Sequence, residues 1–144
     1  MKHIFIIIAS LICFSSCEEV CLDGAWDPIE LDKKHVNFPP EGGQNTVSAL
    51  NYNRWWISGG YEVSSIDDQK TNSDYIHASS SDGDETHIYD ILDGGWYHVS
   101  VPDKGMSNTI IITVDPIGAA GHPRDAIIEM QAGNAFTKIS ISQK

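Results

Sequence analysis

Residues 109–114, "TIIITV", are built from β-branched side chains. Such residues lose rotamer freedom in a helix and pack well on a pleated surface. No stretch of the chain shows a convincing helical period. The other signals are short alternating runs bounded by Gly, Pro, Asn and Asp, so the chain reads as all-β. Strands are expected at 31–38, 46–51, 54–58, 96–101, 109–114, 126–131 and 136–142; 61–66 continues the sheet after Gly59-Gly60, and 86–92 is a further candidate. Asp93-Gly94-Gly95 reads as a hairpin turn, and 132–135 as another. Pro39-Pro40-Glu41-Gly42-Gly43 ends the first strand, because proline cannot donate to a ladder and glycine permits the turn. The spacing suggests an immunoglobulin-like β-sandwich of seven to eight strands. The polar stretch 67–85, "DDQKTNSDYIHASSSDGDE", is long for a loop without structure, and such loops are usually functional or disordered.

The N-terminus has a basic start, Lys2 and His3, and an apolar run over 4–14. That run is too short to cross a bilayer, and it fits the hydrophobic part of a secretory signal. It ends in Phe14-Ser15-Ser16-Cys17, which resembles a bacterial lipoprotein cleavage box with Cys17 as the lipidated N-terminus. The alternative is an ordinary signal peptide that contains a cysteine. Cys13 would be removed with the signal, leaving Cys21 without an internal partner. A Cys17–Cys21 loop is the option if Cys17 carries no lipid. Glu18 and Glu19 resemble the acidic export signal of surface lipoproteins in Bacteroidetes-type bacteria. The expected organisation is a signal peptide at 1–16, a lipidated tether at 17–29 and one domain at 30–144. The expected location is the outer membrane, lipid-anchored, with surface display a further expectation.

Removal of 1–16 takes Lys2 and no acid. It leaves 128 residues with 8 basic against 20 acidic side chains, a formal charge of −12. That length suits one domain with a core of its own. An acidic surface without a Lys/Arg cluster repels phosphate backbones, which disfavours nucleic acid as a partner. It equally disfavours electrostatic docking to anionic lipid, so membrane attachment is expected through the lipid alone.

Four pieces resemble a known module: "VNFPPEGGQNTVSA", "NRWWIS", "GGWYHVSVPDKGMSNTIIITV" and "RDAIIEMQAGNAFTKISISQK". In this order they look like a BACON domain (Bacteroidetes-associated carbohydrate-binding, often N-terminal). The resemblance covers roughly 30–144 and implies an immunoglobulin-like sandwich. The chain departs from the pattern in one place. The two Trp strands are usually close together, whereas here 40 positions separate Trp56 from Trp96. The excess reads as an insertion at about 61–92. The family name implies carbohydrate binding, but a shared fold does not establish function. A spacer that lifts something off the membrane is equally open.

Successive strand residues face opposite ways. Trp55 and Ile57 are therefore expected in the core, with Trp56 and Ser58 outward. Tyr97, Val99 and Val101 are expected in the core, with Trp96, His98 and Ser100 outward. An exposed aromatic ring stacks on the C–H face of a sugar while neighbouring polar groups bind the hydroxyl rim. Trp56 and Trp96, with Arg54 and Tyr52, are the candidate ligand-binding residues. The partner is then a glycan or, because Trp and Arg also dominate protein hot spots, an outer-membrane protein. The alternative is that both tryptophans lie under the insertion or cap the ends of the sandwich.

Asp82, Asp84 and Glu85 around Gly83 are weak candidates for a hard cation such as calcium. They lack the full twelve-residue loop pattern, and a solvated acidic loop explains them as well. No two histidines of the mature chain share a short metal-ligand spacing, and no Cys pair accompanies them. No cofactor is expected, and nothing singles out an acid–base pair or an activated nucleophile, so a non-catalytic protein is expected.

Overall fold

The computed structural model describes residues 26–66, 69–83, 89–119 and 121–144, with the backbone alone at 65–66 and 69–72. The signal segment, Cys17, Cys21, Asp84 and Glu85 lie outside the described residues. Strands run over His35–Phe38 (β1), Gly43–Ser48 (β2), Trp56–Ile66 (β3), Gln69–Asn72 (β4), Ile76–His77 (β5), Ile91–Asp93 (β6), Tyr97–Ser100 (β7), Thr109–Val114 (β8), Arg124–Ala132 (β9) and Ala135–Gln143 (β10). Two sheets form an immunoglobulin-like sandwich. The larger has the order β1-β10-β9-β3-β4, with β5 also on β3, and the smaller has the order β2-β8-β7-β6. The chain changes sheet at the Pro39–Gly42 turn, where Gly42 takes a φ of 76° and its N–H bonds the Pro39 carbonyl at 3.0 Å.

The alternation expected for the strands is what builds the core. Trp55 and Ile57 are fully buried from the larger sheet, as are Ile128, Met130, Ile139 and Ile141. Tyr97, Val99 and Val101 are buried from the smaller sheet with Val47, Ile110 and Ile112. Each such side chain contributes about 1.5–3 kcal/mol of transfer free energy.

Three expectations need correction. The Gly59-Gly60 pair does not break the chain between two strands: β3 is continuous, and its register shifts between Ile57 and Gly59. Ser58 is the extra residue of a bulge there. The polar stretch is not a plain loop, since β4 and β5 both pair antiparallel with β3. That raises the strand number above the seven or eight expected. The expected tether also begins folding early. Ile29 is 4% exposed in the core, and Trp26 stacks on Tyr52 with ring centroids 6.4 Å apart.

Candidate functional site

Register fixes which side chains share the outer face of the larger sheet. Trp56 pairs Gln131, and Gln131 pairs Phe136. One row across β3, β9 and β10 is therefore Trp56–Gln131–Phe136. The next row is Gly59–Glu129–Lys138, extended by His77 on β5. The third is Tyr61–Ile127–Ser140. Their core-facing neighbours Ile128 and Met130 are buried, so these rows face solvent. Trp56 is half-buried and Phe136 is 64% exposed.

Tyr75 is folded over this face. Its hydroxyl donates to Glu129 Oε2 at 3.1 Å, and its ring lies 6.4 Å from that of Tyr61 and 5.0 Å from His77. The position is possible because residue 59 is glycine: a Cβ there would sit 2.6 Å from the Tyr75 ring. Lys138 Nζ bonds Glu129 Oε1 at 2.7 Å and the Tyr61 hydroxyl at 3.3 Å. Glu129, then Tyr61, raise the Lys138 pKa above its usual value, so the ammonium is held charged. Partial burial, and then the Glu129 hydrogen bond, push the Tyr75 hydroxyl up to about 12. At neutral pH the face thus offers four aromatic rings (Trp56, Tyr61, Tyr75 and Phe136) around a neutralised Lys–Glu pair. Gln131 adds amide groups, its Nε2 donating to the Gly133 carbonyl at 2.8 Å and its Oε1 accepting from Ser58 Oγ at 3.3 Å.

The candidate residues do not form one platform. Trp96 was expected outward and is buried, 9% exposed. The strand begins at Tyr97, so Trp96 belongs to the turn before it. The Arg124 guanidinium covers its ring at 4.5 Å from the centroid, and Tyr97 meets it edge-on at 5.0 Å. Trp96 caps one end of the sandwich. Trp56 pairs with Gln131 near the other end, seven residues along β9 from Arg124, or about 23 Å. His98 is half-exposed as expected, between Asp93 at 3.2 Å and Asp115 at 3.5 Å. Tyr52 is anchored: its hydroxyl donates to the Asp27 carbonyl at 2.6 Å. Arg54 is exposed at the same end as Trp56.

Sequence reasoning missed Tyr61, Tyr75, Glu129, Phe136 and Lys138. Phe136 and Lys138 sit at alternate positions of an expected strand, and that period alone pairs them on one face. Asp90 was also missed as a structural carboxylate. It is 4% exposed and accepts from Ser81 N at 2.7 Å and Ser81 Oγ at 2.6 Å, which fixes the turn before Gly83. Asp82 is exposed on that turn and accepts from Ser80 Oγ. No group of three or more potential metal ligands occurs among the described residues.

No protein-family model matches the chain, and no curated protein is significantly similar to it. The chain is similar in structure to an NMR structure of a protein from Bacteroides thetaiotaomicron. The match has a TM-score of 0.59 at 24% identity and covers 89% of this chain and 96% of that one. At that identity the likeness carries the fold alone.

Proposed function

We propose that the chain is a non-catalytic binding module of the cell envelope: a BACON-like lipoprotein, anchored to the outer membrane through Cys17, that holds a glycan on the outer face of its larger sheet. The observation that carries this reading is the solvent-facing row of Trp56, Gln131 and Phe136, beside Tyr61, Tyr75 and the Glu129–Lys138 pair. Flat rings take the C–H face of a sugar, and the amide, carboxylate and ammonium take its hydroxyls. The mature acidic charge turns phosphate-rich ligands away.

Glycan-array binding of residues 22–144 tests this, with Trp56→Ala and Phe136→Ala alongside. The expected result is a specific signal that both substitutions abolish while the melting temperature falls by only the few degrees that about 1 kcal/mol gives. A signal that both variants retain removes this face from the site. The exposure of Phe136 supports a second reading, in which the same face meets a membrane partner protein. In that case the array is silent, and Phe136→Ala breaks a co-purifying complex in the absence of sugar. The anchor has its own test. Cys17→Ser should move the protein from the membrane to the soluble fraction and remove the lipid mass from its N-terminal peptide.

A further inference from the structure

The exposed large apolar side chains are distributed unevenly over the molecule. Trp26 is 51% exposed, Leu50 64% and Met106 54%. All three lie at the end of the sandwich where the β9–β10 hairpin turns. Trp26 packs over Gly133 of that hairpin, which has no Cβ to obstruct the ring. The Leu50 N–H bonds the Glu30 carbonyl at 2.8 Å, and the Asn51 side chain bonds the Pro28 carbonyl at 2.8 Å, joining that loop to the segment after Trp26. The Ala49 N–H bonds the Asn108 carbonyl at 2.8 Å, which places the Met106 loop beside Leu50. The opposite end, with Pro39–Gly42, Asp93–Trp96 and Asp115, carries none of the exposed large apolar residues among those described.

Met106 follows a turn in which Asp103 and Lys104 are both left-handed, at φ of 54° and 55°. Non-glycine residues adopt that conformation only where the surroundings impose it, and such strain clusters at working surfaces. The three apolar side chains together expose on the order of a few hundred Å².

We infer that this end of the sandwich is a membrane-docking tip, seated by Trp26, Leu50 and Met106 on the bilayer that holds the anchor. The inference rests on the reading of Cys17 as that anchor. Trp26 is nine positions beyond Cys17. Nine residues span at most about 30 Å, so an anchored Cys17 confines the tip to the neighbourhood of the lipid. Confinement makes a weak contact sufficient, because the tethered tip sees the surface at a high effective concentration. Trp, Leu and Met suit the acyl–headgroup boundary. The exposed charges at this end are of both signs, Arg54 and Lys104 against Asp27, Glu30 and Asp103, so the contact is apolar and insensitive to salt. With the tip down, the Trp56–Gln131–Phe136 row lies close to the membrane and the Tyr61–Ile127–Ser140 row stands farther from it.

The test couples the chain from residue 17, carrying Cys21→Ser, through Cys17 to a maleimide lipid in phosphatidylcholine vesicles with brominated acyl chains. The chemical anchor makes the result independent of whether the native protein is lipidated. Bromine is expected to quench part of the tryptophan fluorescence. That part should vanish in Trp26→Phe and fall about twofold or more in the Leu50→Asp/Met106→Asp double variant, at unchanged melting temperature and in high salt alike. Glycan binding by the double variant should equal that of the parent, which separates the tip from the outer face. Absence of quenching, or quenching that both variants leave unchanged, overturns the inference. A sedimentation coefficient that rises with concentration only while Leu50 and Met106 are intact would also overturn it, by assigning the tip to a second copy of the chain.

Discussion

Gln143→Ala should be among the most damaging single substitutions in the domain, although it removes a polar residue two positions beyond the core side chain Ile141. Gln143 is fully buried. Its Nε2 donates to the Asp115 carbonyl at 2.9 Å and the Pro39 carbonyl at 3.0 Å, with a longer contact to the Pro40 carbonyl at 3.3 Å. Its Oε1 accepts from Arg124 Nε at 2.8 Å. Arg124 in turn bonds the Asp115 carbonyl at 2.8 Å and covers Trp96. One side chain therefore ties β10 to the β1–β2 turn, to the end of β8 and to the cation over Trp96. Two neutral hydrogen bonds at about 1 kcal/mol each and one to a charged donor at about 2 give ~4 kcal/mol. Relaxation around the truncated side chain returns a part, which leaves about 3–4 kcal/mol against a typical total of 5–15. For a domain of this size that lowers the melting temperature by roughly 10–15 °C. Urea unfolding followed by tryptophan fluorescence measures it, and Gln143→Glu is the informative companion. The carboxylate keeps the Arg124 contact but faces three carbonyl oxygens without a donor, so it should be no more stable than the alanine variant. A loss below about 1 kcal/mol for Gln143→Ala would refute the reasoning, because it would mean that solvent replaces this network at little cost.

The three core and near-core tryptophans should separate by position. Trp55→Ala and Trp96→Ala should each cost about 3–5 kcal/mol, and Trp56→Ala about 1, by thermal denaturation; equal losses for Trp56 and Trp96 would contradict the placement of Trp96 under Arg124. Tyr97→Phe should stabilise by about 1 kcal/mol, because the hydroxyl is buried with no hydrogen-bond partner among the described residues. Burial, and then the charge of Glu62, push Tyr97 up to about 12, and Tyr75 also reaches about 12, against an ordinary 10.0. The unfolded chain therefore releases these protons first as pH rises. Stability should be flat in this respect up to pH 10 and fall between 10 and 12, with a shallower fall in Tyr97→Phe; urea midpoints across that range check both. Gly59→Ala should cost about 1–3 kcal/mol, since the new methyl meets the Ile76 carbonyl as well as the Tyr75 ring, and it should weaken ligand binding by lifting Tyr75 from the face.

What was legible in the sequence was local. The alternation of Trp55 with Ile57, and of Tyr97 with Val99 and Val101, depends only on strand geometry, and the structure buries all five. The strand over Thr109–Val114 matches its expected bounds. What failed depended on residues distant in the chain. Trp96 is buried by Arg124, 28 positions later, and strand period carries no information about that cation. The glycines at 59 and 60 resemble a turn, yet they are small because Tyr75 and Tyr97 approach them from opposite sides. The 67–85 stretch is polar because its strands pair at the edge of a sheet, where a hydrophobic pattern is not required. The proposed ligand face was half visible: Trp56 was identified, while Tyr61, Tyr75, Phe136 and Lys138 share its side of the sheet only through the register of four strands.

The position of β10 sets the order of folding. It lies between β1 and β9, parallel to the first and antiparallel to the second. The larger sheet cannot close until residues 135–143 are available, so β1 waits about a hundred residues for the strand it pairs with. Such long-range pairing is slow, on the order of milliseconds to seconds. For the exported lipoprotein proposed above, that delay would be useful: the chain would stay threadable during export and acquire its full core only on the far side.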